Sequence, residues 1–203
     1  MDSEKRERRA LRIRGLRKRW IVNAVMPVFL LMLVIITLMA AGISNYYYNN
    51  VRAGLERRAQ AAAESFNSYF MTSYSEFYQR AVSYAENFED KNKIEMQFIN
   101  SNGRIQVSTY GLTVGSAPGT EEIQRALSSG RTETYLGPDP QTNEDILSVS
   151  APLSFNGKAV GVVRFITGMR AVNHQILICI LLVLVFAGLC MAMVLFSSLL
   201  FIN

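Results

Sequence analysis

The stretch ILSVSAPLSFNGKAVGVVRFITGM, residues 146–169, is the strongest fold signal in the sequence. Residues 146–153 and 159–167 are predicted strands, and Asn156-Gly157 lies between them. Asn-Gly between two apolar runs is the strongest short-range signal for a β-hairpin. The stretch therefore predicts two neighbouring antiparallel strands, and Arg164 lies in the middle of the second one.

The residues before this hairpin predict three more strands and one short helix. The three strands are residues 94–99, 104–108 and 132–136. Asn100-Ser101-Asn102-Gly103 is the turn between the first two. A helix is predicted over residues 120–127, with Thr120 as its N-cap and Gly130 beyond its end. This order predicts an α+β fold in which one antiparallel sheet of about five strands, residues 94–168, carries helix on one face.

A long helix precedes the sheet. Between residues 51 and 88, apolar residues recur at steps of three and four and form one stripe, in which Ser73 is the polar exception. The prediction is one helix over residues 45–88, of which the part from residue 51 would be roughly 55 Å long at 1.5 Å per residue. That exceeds the apolar side of so small a domain, so part of the stripe is expected to pair with a second copy of the chain.

Two long apolar segments bracket this region. Residues 21–43 and 171–203 contain no Asp, Glu, Lys or Arg. About 20 apolar residues are enough to cross the hydrocarbon core of a bilayer, so transmembrane helices are predicted over residues 20–43 and 175–202. Two buried helices of a soluble protein are the alternative, which the lengths disfavour. A cleaved signal peptide is disfavoured as well, because the first apolar run exceeds the usual 7–15 residues.

The distribution of charge predicts the orientation. Residues 1–19 hold nine basic and three acidic residues, a net charge of +6, whereas the whole chain has +5. Basic residues beside a span stay in the cytoplasm, so residues 1–19 are expected to be a cytoplasmic arm and residues 44–174 to lie outside the cell. Contact with the membrane lipid bilayer explains the basic arm better than binding of nucleic acid does.

Three segments together resemble a known family. They are MQFINSNGRIQVST, EEIQRALSSGRTETYLG and the hairpin stretch quoted first. Their order and spacing resemble the single Cache domain, a PAS-like extracytoplasmic sensor domain of bacterial receptors. The resemblance covers about residues 45–170 and, with the flanking spans, nearly the whole chain.

The resemblance implies reception of a signal outside the cell. Such domains precede a cytoplasmic output, here expected to be a two-component sensor histidine kinase, with a chemoreceptor or a diguanylate cyclase as alternatives. No output module lies within these 203 residues. A stand-alone membrane interaction protein is the third hypothesis.

Candidate binding residues lie on the predicted sheet. Ser148 and Ser150 alternate to the same face of their strand, and a buried Arg164 would be either paired or bound to a ligand. The proposed pocket residues are Tyr110, Tyr135, Ser148, Ser150 and Arg164. The alternative is an exposed sheet face without a ligand, and the ligand itself could be a small molecule or a protein.

The composition argues against catalysis. The predicted outer domain has no Cys, and His174 is the only histidine of the chain, too few for a usual zinc set. Neither a catalytic residue nor a cofactor is predicted. A homodimer is expected, and the residues predicted to pack between its subunits or in the membrane are Phe66, Tyr69, Phe77, Gly188 and Ala192.

Overall fold

The computed structural model describes residues 2–68, 73–110, 114–155 and 158–202. Four helices and five strands follow one another along the chain. They are α1 (Asp2–Asn67), α2 (Tyr74–Glu86), β1 (Glu95–Asn100), β2 (Ile105–Ser108), α3 (Glu121–Ser129), β3 (Glu133–Pro138), β4 (Asp145–Phe155), β5 (Lys158–Gly168) and α4 (Arg170–Ile202). The chain divides into two compact units. One consists of the chain up to Asn45 and from Gln175 onward. The other is Tyr46–His174, which corresponds to the predicted sensor domain and is therefore called the sensor unit.

The sensor unit contains one antiparallel sheet with the strand order β2-β1-β5-β4-β3. The prediction of an α+β fold with a five-stranded antiparallel sheet is confirmed. The hairpin of β4 and β5 lies at the centre, with Ser154 opposite Ala159 at its closed end. The predicted turn residues Asn156-Gly157 lie outside the described residues. In the β1–β2 turn, Gly103 has a φ of 73° and its amide donates to the carbonyl of Asn100 at 2.9 Å, as the Asn-Gly signal predicts.

One face of the sheet forms the main hydrophobic core with α1 and α2. Phe98 of β1 is fully buried, and its ring lies 4.7 Å from that of Phe66 and 6.2 Å from that of Phe77, measured between centroids. Val149, Val163 and Phe165 join the same cluster. Burial of each such side chain contributes about 1.5–3 kcal/mol, so this face supplies most of the stability of the unit.

The stripe over residues 51–88 belongs to two helices rather than to one. Helix α1 ends at Asn67 and α2 begins at Tyr74, with Ser73 as its N-cap. The Ser73 hydroxyl oxygen accepts from the amide of Glu76 at 3.3 Å. The polar exception in the stripe is therefore a helix start, because a serine cap satisfies an amide that the first turn leaves free.

The opposite face of the sheet carries the short helix α3. Ile123 and Ala126 of α3 pack on Ile99, Ile105 and Val162 in a second, smaller cluster. Helix α3 ends as predicted, since Gly130 adopts a left-handed conformation with a φ of 65° and donates its amide to the carbonyl of Ala126. The sheet therefore separates a large apolar core on one side from a small helix-covered layer on the other.

The other unit consists of helical segments only. In the part of the chain that the structure describes, two helices are long and apolar enough to cross a membrane, one within Met26–Asn67 and the other within Arg170–Val194. Gly188 and Ala192 are exposed on α4, as a contact with lipid or a second helix requires. These two helices indicate a membrane protein.

A substitution at Gly161 tests the packing at the centre of the sheet. It is buried on β5 opposite Asn100, and a methyl group at its Cα would overlap the backbone oxygen of Ile99. We expect Gly161→Ala to destabilise the protein by about 1–3 kcal/mol because the central strands must separate. Thermal unfolding of the chain in detergent, followed by circular dichroism, should show a melting temperature lower by roughly 5–10 °C.

Gly54→Ala is the matched control for this experiment. Gly54 lies inside α1, and a methyl group there meets nothing within 4 Å. Alanine is the better helix former, so this variant should keep or slightly raise the melting temperature. Equal melting temperatures for Gly161→Ala and the wild type would contradict the close approach of β1 and β5.

Candidate ligand-binding site

The polar site lies on the sheet face that α3 covers. Arg164 of β5 stands opposite Ser150 of β4 on one side and opposite Gln97 of β1 on the other. Residues directly opposite each other in an antiparallel pair project to the same face. Ser148, two residues before Ser150, shares that face. The register thus brings one cation, one amide and two hydroxyls together in the middle of the sheet.

Arg164 is buried and its hydrogen bonds are well formed. Only 3% of its side chain is exposed, and its Nε donates to Oε1 of Glu122 at 2.8 Å. Its Nη2 donates to Thr120 Oγ1 at 2.9 Å and more weakly to Ser148 Oγ at 3.4 Å. Its Nη1 donates to Gln97 Oε1 at 3.1 Å. The guanidinium charge is therefore balanced by a carboxylate from α3.

Glu122 uses its two carboxylate oxygens very differently. Oε1 accepts from Arg164, from the Ser148 hydroxyl at 2.7 Å and from the Thr120 hydroxyl at 2.9 Å. Oε2 is buried and has no hydrogen-bond partner among the described residues, and the same holds for Oγ of Ser150. A buried polar atom without a partner costs about 1–3 kcal/mol, so the site is paired in charge but incompletely satisfied in hydrogen bonds.

Thr120 occupies the predicted N-cap position of α3 with a different role. Its backbone has the extended conformation of an N-cap, but its hydroxyl makes no capping bond to the helix. The hydroxyl instead donates to Oε1 of Glu122 and accepts from Nη2 of Arg164. The start of α3 is thus positioned by the buried site rather than by a cap.

A small cleft lies beside this cluster. Its volume is about 190 Å³, and Arg164 forms part of its wall. The cleft is lined by Glu95, Gln97, Ile105, Tyr110, Pro118, Asp139, Gln141, Thr142, Ile146, Arg164 and Ile166. Gln97 links the two regions, since its Oε1 accepts from Arg164 while its Nε2 donates to Oε1 of Glu95 at 2.8 Å.

The structure brings together four of the five predicted pocket residues. Ser148, Ser150 and Arg164 lie in the buried cluster, and Tyr110 lines the cleft with 48% of its surface exposed. Tyr135 stands opposite Ser148 on the edge strand β3, but its hydroxyl donates to the carbonyl of Pro138 at 2.9 Å and it does not line the cleft.

The residues predicted to pack between subunits lie in different surroundings. Phe66 is buried in the core of its own chain, and Phe77 packs against the same core half-buried. Gly188 and Ala192 lie on α4, and Tyr69 lies outside the described residues. A homodimer stays a prediction.

Sequence reasoning missed Glu122, Thr120 and Gln97 as members of the site. The signal for Glu122 was its place on the buried face of α3, together with Ile123 and Ala126. An acid on the apolar side of a short helix and an arginine inside an apolar strand are two buried charges in one domain. Such charges are expected to pair with each other.

The buried pair predicts a strong coupling between its two side chains. Glu122→Leu and Arg164→Met should each lower the free energy of unfolding by about 3–5 kcal/mol, because each leaves one buried charge unpaired. The double variant should lose much less than the sum of the two single losses. Chemical denaturation of all four proteins in detergent measures this double-mutant cycle.

The ion pair of Arg170 and Glu144 is the matched control. Its N···O distance is 2.7 Å, similar to the buried pair, but its side chains are 87% and 54% exposed. Screening by water should leave the cycle of Arg170→Ala and Glu144→Ala without measurable coupling. Additive losses in the Glu122 and Arg164 cycle would contradict a stabilising ion pair between these two side chains.

Solved structures of bacterial sensor domains are similar to part of this chain. The sensory domain of the Campylobacter jejuni chemoreceptor Tlp3, solved with isoleucine bound, is 11% identical with a TM-score of 0.55; the match covers 75% of this chain and 66% of that domain. The sensor domain of Escherichia coli DcuS is 19% identical with a TM-score of 0.45, over 62% of this chain and 96% of that one. The sensor domain of the Vibrio cholerae histidine kinase DctB is 12% identical with a TM-score of 0.45, over 75% and 59%.

These likenesses concern the fold. This chain spans just under two thirds of the length of the Tlp3 domain. No protein-family model and no curated protein sequence matches the chain. The chain itself has a long N-terminal helix and a five-stranded antiparallel sheet. The sensor unit therefore has the Cache-type, PAS-like fold of the extracellular sensor domains of bacterial receptors.

Proposed function

We propose that this chain is the membrane-anchored input half of a bacterial signal receptor. The sensor unit detects a cue outside the cell, and α1 and α4 carry the response to a cytoplasmic output. The observation that carries this proposal is the buried Arg164–Glu122 cluster beside a cleft, in a unit with the fold of sensor domains. A charged pair buried in the middle of a sheet adds little net stability compared with apolar residues of the same volume, which supports a role beyond stability.

The charge pattern supports the orientation. The arm before Trp20 carries a net charge of +6, and such arms remain in the cytoplasm. The sensor unit then lies between the two spans on the outer side. Within that unit the structure describes no group of three or more His, Cys, Asp or Glu side chains that could hold a metal ion.

The cleft supports a small ligand. Its volume of about 190 Å³ is below the range of roughly 300–1,000 Å³ that is usual for sites of drug-sized ligands. The three isoleucines of its lining offer an apolar surface, and Gln97, Tyr110 and Thr142 offer hydrogen bonds. This combination suits a molecule of a few heavy atoms with one apolar part, which is the size class of the isoleucine found in the Tlp3 domain.

The hydrogen bonds around the end of β5 and the first turn of α4 support transmission of a signal. The amide of Met169 donates to the carbonyl of Asp145 at 2.9 Å, directly after β5 ends. The Tyr48 hydroxyl donates to Oδ1 of Asn173 at 2.6 Å and ties α1 to the first turn of α4. These two hydrogen bonds connect β4, α1 and the first turn of α4, and in the proposed receptor they are the contacts through which a change in the sheet reaches both helix segments.

We propose a two-component histidine kinase as the output. A chemoreceptor or a diguanylate cyclase is the alternative, and the sequence that follows the second span distinguishes them. The proposed receptor is a homodimer. Exposed Gly188 and Ala192, four residues apart on α4, support a close helix–helix contact in the membrane.

Cysteine labelling tests the orientation. Val114 is 61% exposed in the sensor unit, and Ser3 lies in the basic arm. In a background with Cys179→Ala and Cys190→Ala, we expect Val114→Cys to react with a membrane-impermeant maleimide in intact cells. Ser3→Cys, the control, should react only after the membrane is permeabilised. The reverse pattern would place the sensor unit in the cytosol and overturn the proposed function.

A cleft-blocking variant tests ligand binding. Small organic acids, amines and amino acids are screened by thermal shift on the chain in nanodiscs. At about 100 times its dissociation constant a ligand should add roughly 2.7 kcal/mol of stability, and so raise the melting temperature by several degrees.

Gln141→Trp should abolish this shift, because Gln141 lies on the exposed rim of the cleft. Val160→Trp is the matched control on an exposed position of β5 outside the cleft, and it should retain the shift. Binding that survives Gln141→Trp unchanged would place the ligand elsewhere.

A further inference from the structure

We propose that the sensor unit has a second ligand site, in a groove between α1 and α2, and that this site takes a short linear peptide with free termini. The inference goes beyond the proposed function, because the groove shares no lining residue with the cleft beside Arg164.

The groove has the size of a small-molecule site. Its volume is about 640 Å³, within the range of roughly 300–1,000 Å³ that is usual for such sites. Arg58 and Ser65 line it from α1, and Arg80 and Asn87 line it from α2 and its C-cap. The members of each pair are seven residues apart, which is about 10 Å along a helix. An extended peptide of about three residues has this length, at roughly 3.3 Å per residue.

The two ends of the groove carry different groups. At one end, Phe66 of α1 packs against Tyr84 of α2 with ring centroids 5.6 Å apart, and Arg80 lies one helical turn before Tyr84. At the other end, the guanidinium carbon of Arg58 lies 5.9 Å from the centroid of the Phe88 ring. The two helices are therefore antiparallel along the groove, with Arg80 at one end and the two acids that follow Phe88 at the other.

The acidic end has one carboxylate that a ligand can use. Asp90 is already paired, since its Oδ2 accepts from Nη2 of Arg58 at 2.5 Å. Glu89 is exposed, and no side chain in the described part of the chain pairs with it. The ammonium of the nearby Lys91 is bound to a backbone group instead, because its Nζ donates to the carbonyl of Glu86 at 2.5 Å. Glu89 is therefore the expected partner for the terminal ammonium of a peptide.

The opposite end presents a guanidinium. Arg80 is half-buried in the wall of the groove. A guanidinium has five N–H donors, so Arg80 can bind a ligand carboxylate in addition to the contacts that it makes within the protein. Arginine and a carboxylate favour a bidentate pair. We therefore assign the terminal carboxylate of the peptide to Arg80.

Between its ends, the groove offers polar groups to a peptide backbone. Ser65 and Ser83 are exposed residues on the two helices. Nδ2 of Asn87 donates to the carbonyl of Ser83 at 2.8 Å, which fixes the amide beside the groove. The Phe88 ring is held from behind, since its centroid lies 5.6 Å from that of Phe165 in the core. Hydroxyl and amide groups on a firm apolar base suit the alternating N–H and C=O groups of a peptide.

The charge of the lining favours a ligand that carries both signs. Two arginines and two acids line the groove, so their net charge is zero. A ligand with a single charge is attracted at one end and repelled at the other, whereas a peptide with free termini is attracted at both. Charge complementarity therefore favours a zwitterionic peptide over an organic acid or an amine.

The test uses trialanine with free termini as the probe, on the full chain in nanodiscs. Trialanine amide lacks the terminal carboxylate, N-acetyl-trialanine lacks the ammonium, and N-acetyl-trialanine amide lacks both charges. We expect trialanine at millimolar concentration to raise the melting temperature. Each singly blocked peptide should bind roughly ten-fold more weakly, because it loses one charge-assisted contact. The absence of a shift with trialanine, or an equal shift with the doubly blocked peptide, overturns the inference.

Two variants test the assignment of the ends. Arg80→Gln should bind trialanine and trialanine amide equally weakly, and Glu89→Gln should bind trialanine and N-acetyl-trialanine equally weakly. Arg57→Gln and Glu64→Gln are the matched controls. These exposed residues of α1 do not line the groove, so both controls should bind trialanine as the wild type does. Glu89 is exposed as well, so Glu89→Gln decides the question if Arg80→Gln proves unstable. Trialanine binding that Glu89→Gln leaves unchanged refutes the site.

The cleft variant separates this site from the cleft proposed for sensing. Gln141→Trp should leave trialanine binding unchanged, because Gln141 does not line the groove. Loss of trialanine binding in Gln141→Trp would place the peptide in the cleft, which refutes this inference and leaves the proposed function standing.

Discussion

A guanidinium in the middle of a β-sheet constrains this domain more than any other single group. Arg164 has a stable place there only if a carboxylate neutralises it and other polar groups accept its remaining hydrogen bonds. No strand of the sheet supplies that carboxylate at hydrogen-bond distance, and Glu122 of α3 does. The pair adds little net stability compared with hydrophobic residues of the same volume, since desolvation of two charges offsets their attraction. Its effect is positional, because it fixes α3 over one part of one sheet face.

One face of the sheet carries the main apolar core, and the other face carries the buried polar cluster. Phe98, Val149 and Phe165 pack on α1 and α2, and this apolar core needs no help from the polar site. The other face can therefore contain buried charges, an unpaired carboxylate oxygen and an open cleft without loss of the fold. Unpaired polar atoms on the face that α3 covers are tolerable because the larger apolar core lies on the opposite face.

The sequence predicts the parts of this arrangement that depend on local pattern. Two Asn-Gly signals and the strand lengths lead to the five-stranded antiparallel sheet, and alternation places Ser148 and Ser150 on one face. Gly130 marks the end of α3 because a left-handed residue is needed there. Each of these features is determined by residues that are neighbours in sequence, or by the period of two along a strand.

The sequence pattern does not predict contacts between residues that are far apart along the chain. Glu122 and Arg164 are 42 residues apart, and their contact depends on how α3 crosses the sheet. An acid in the first turn of a helix has a sufficient local explanation in the helix dipole, which hid its second role. The role of Ser73 as a helix start is similarly hidden in the sequence, because one polar residue does not interrupt an apolar stripe with steps of three and four residues. The extended backbone of Ser73, with a φ of −148°, and the hydrogen bond that its hydroxyl accepts from the Glu76 amide identify it as a cap.

Arg164 lies on β5, the strand that leads directly into α4. Strand β5 ends at Gly168, and α4 begins at Arg170, so the buried ion pair and the start of the second apolar helix belong to one short stretch of chain. Met169 is fully buried, and its amide donates a hydrogen bond to the carbonyl of Asp145. Asn173 accepts a hydrogen bond from the hydroxyl of Tyr48 in α1. In the proposed receptor, a change at Arg164 reaches α4 through β5 itself, since the strand ends two residues before that helix begins.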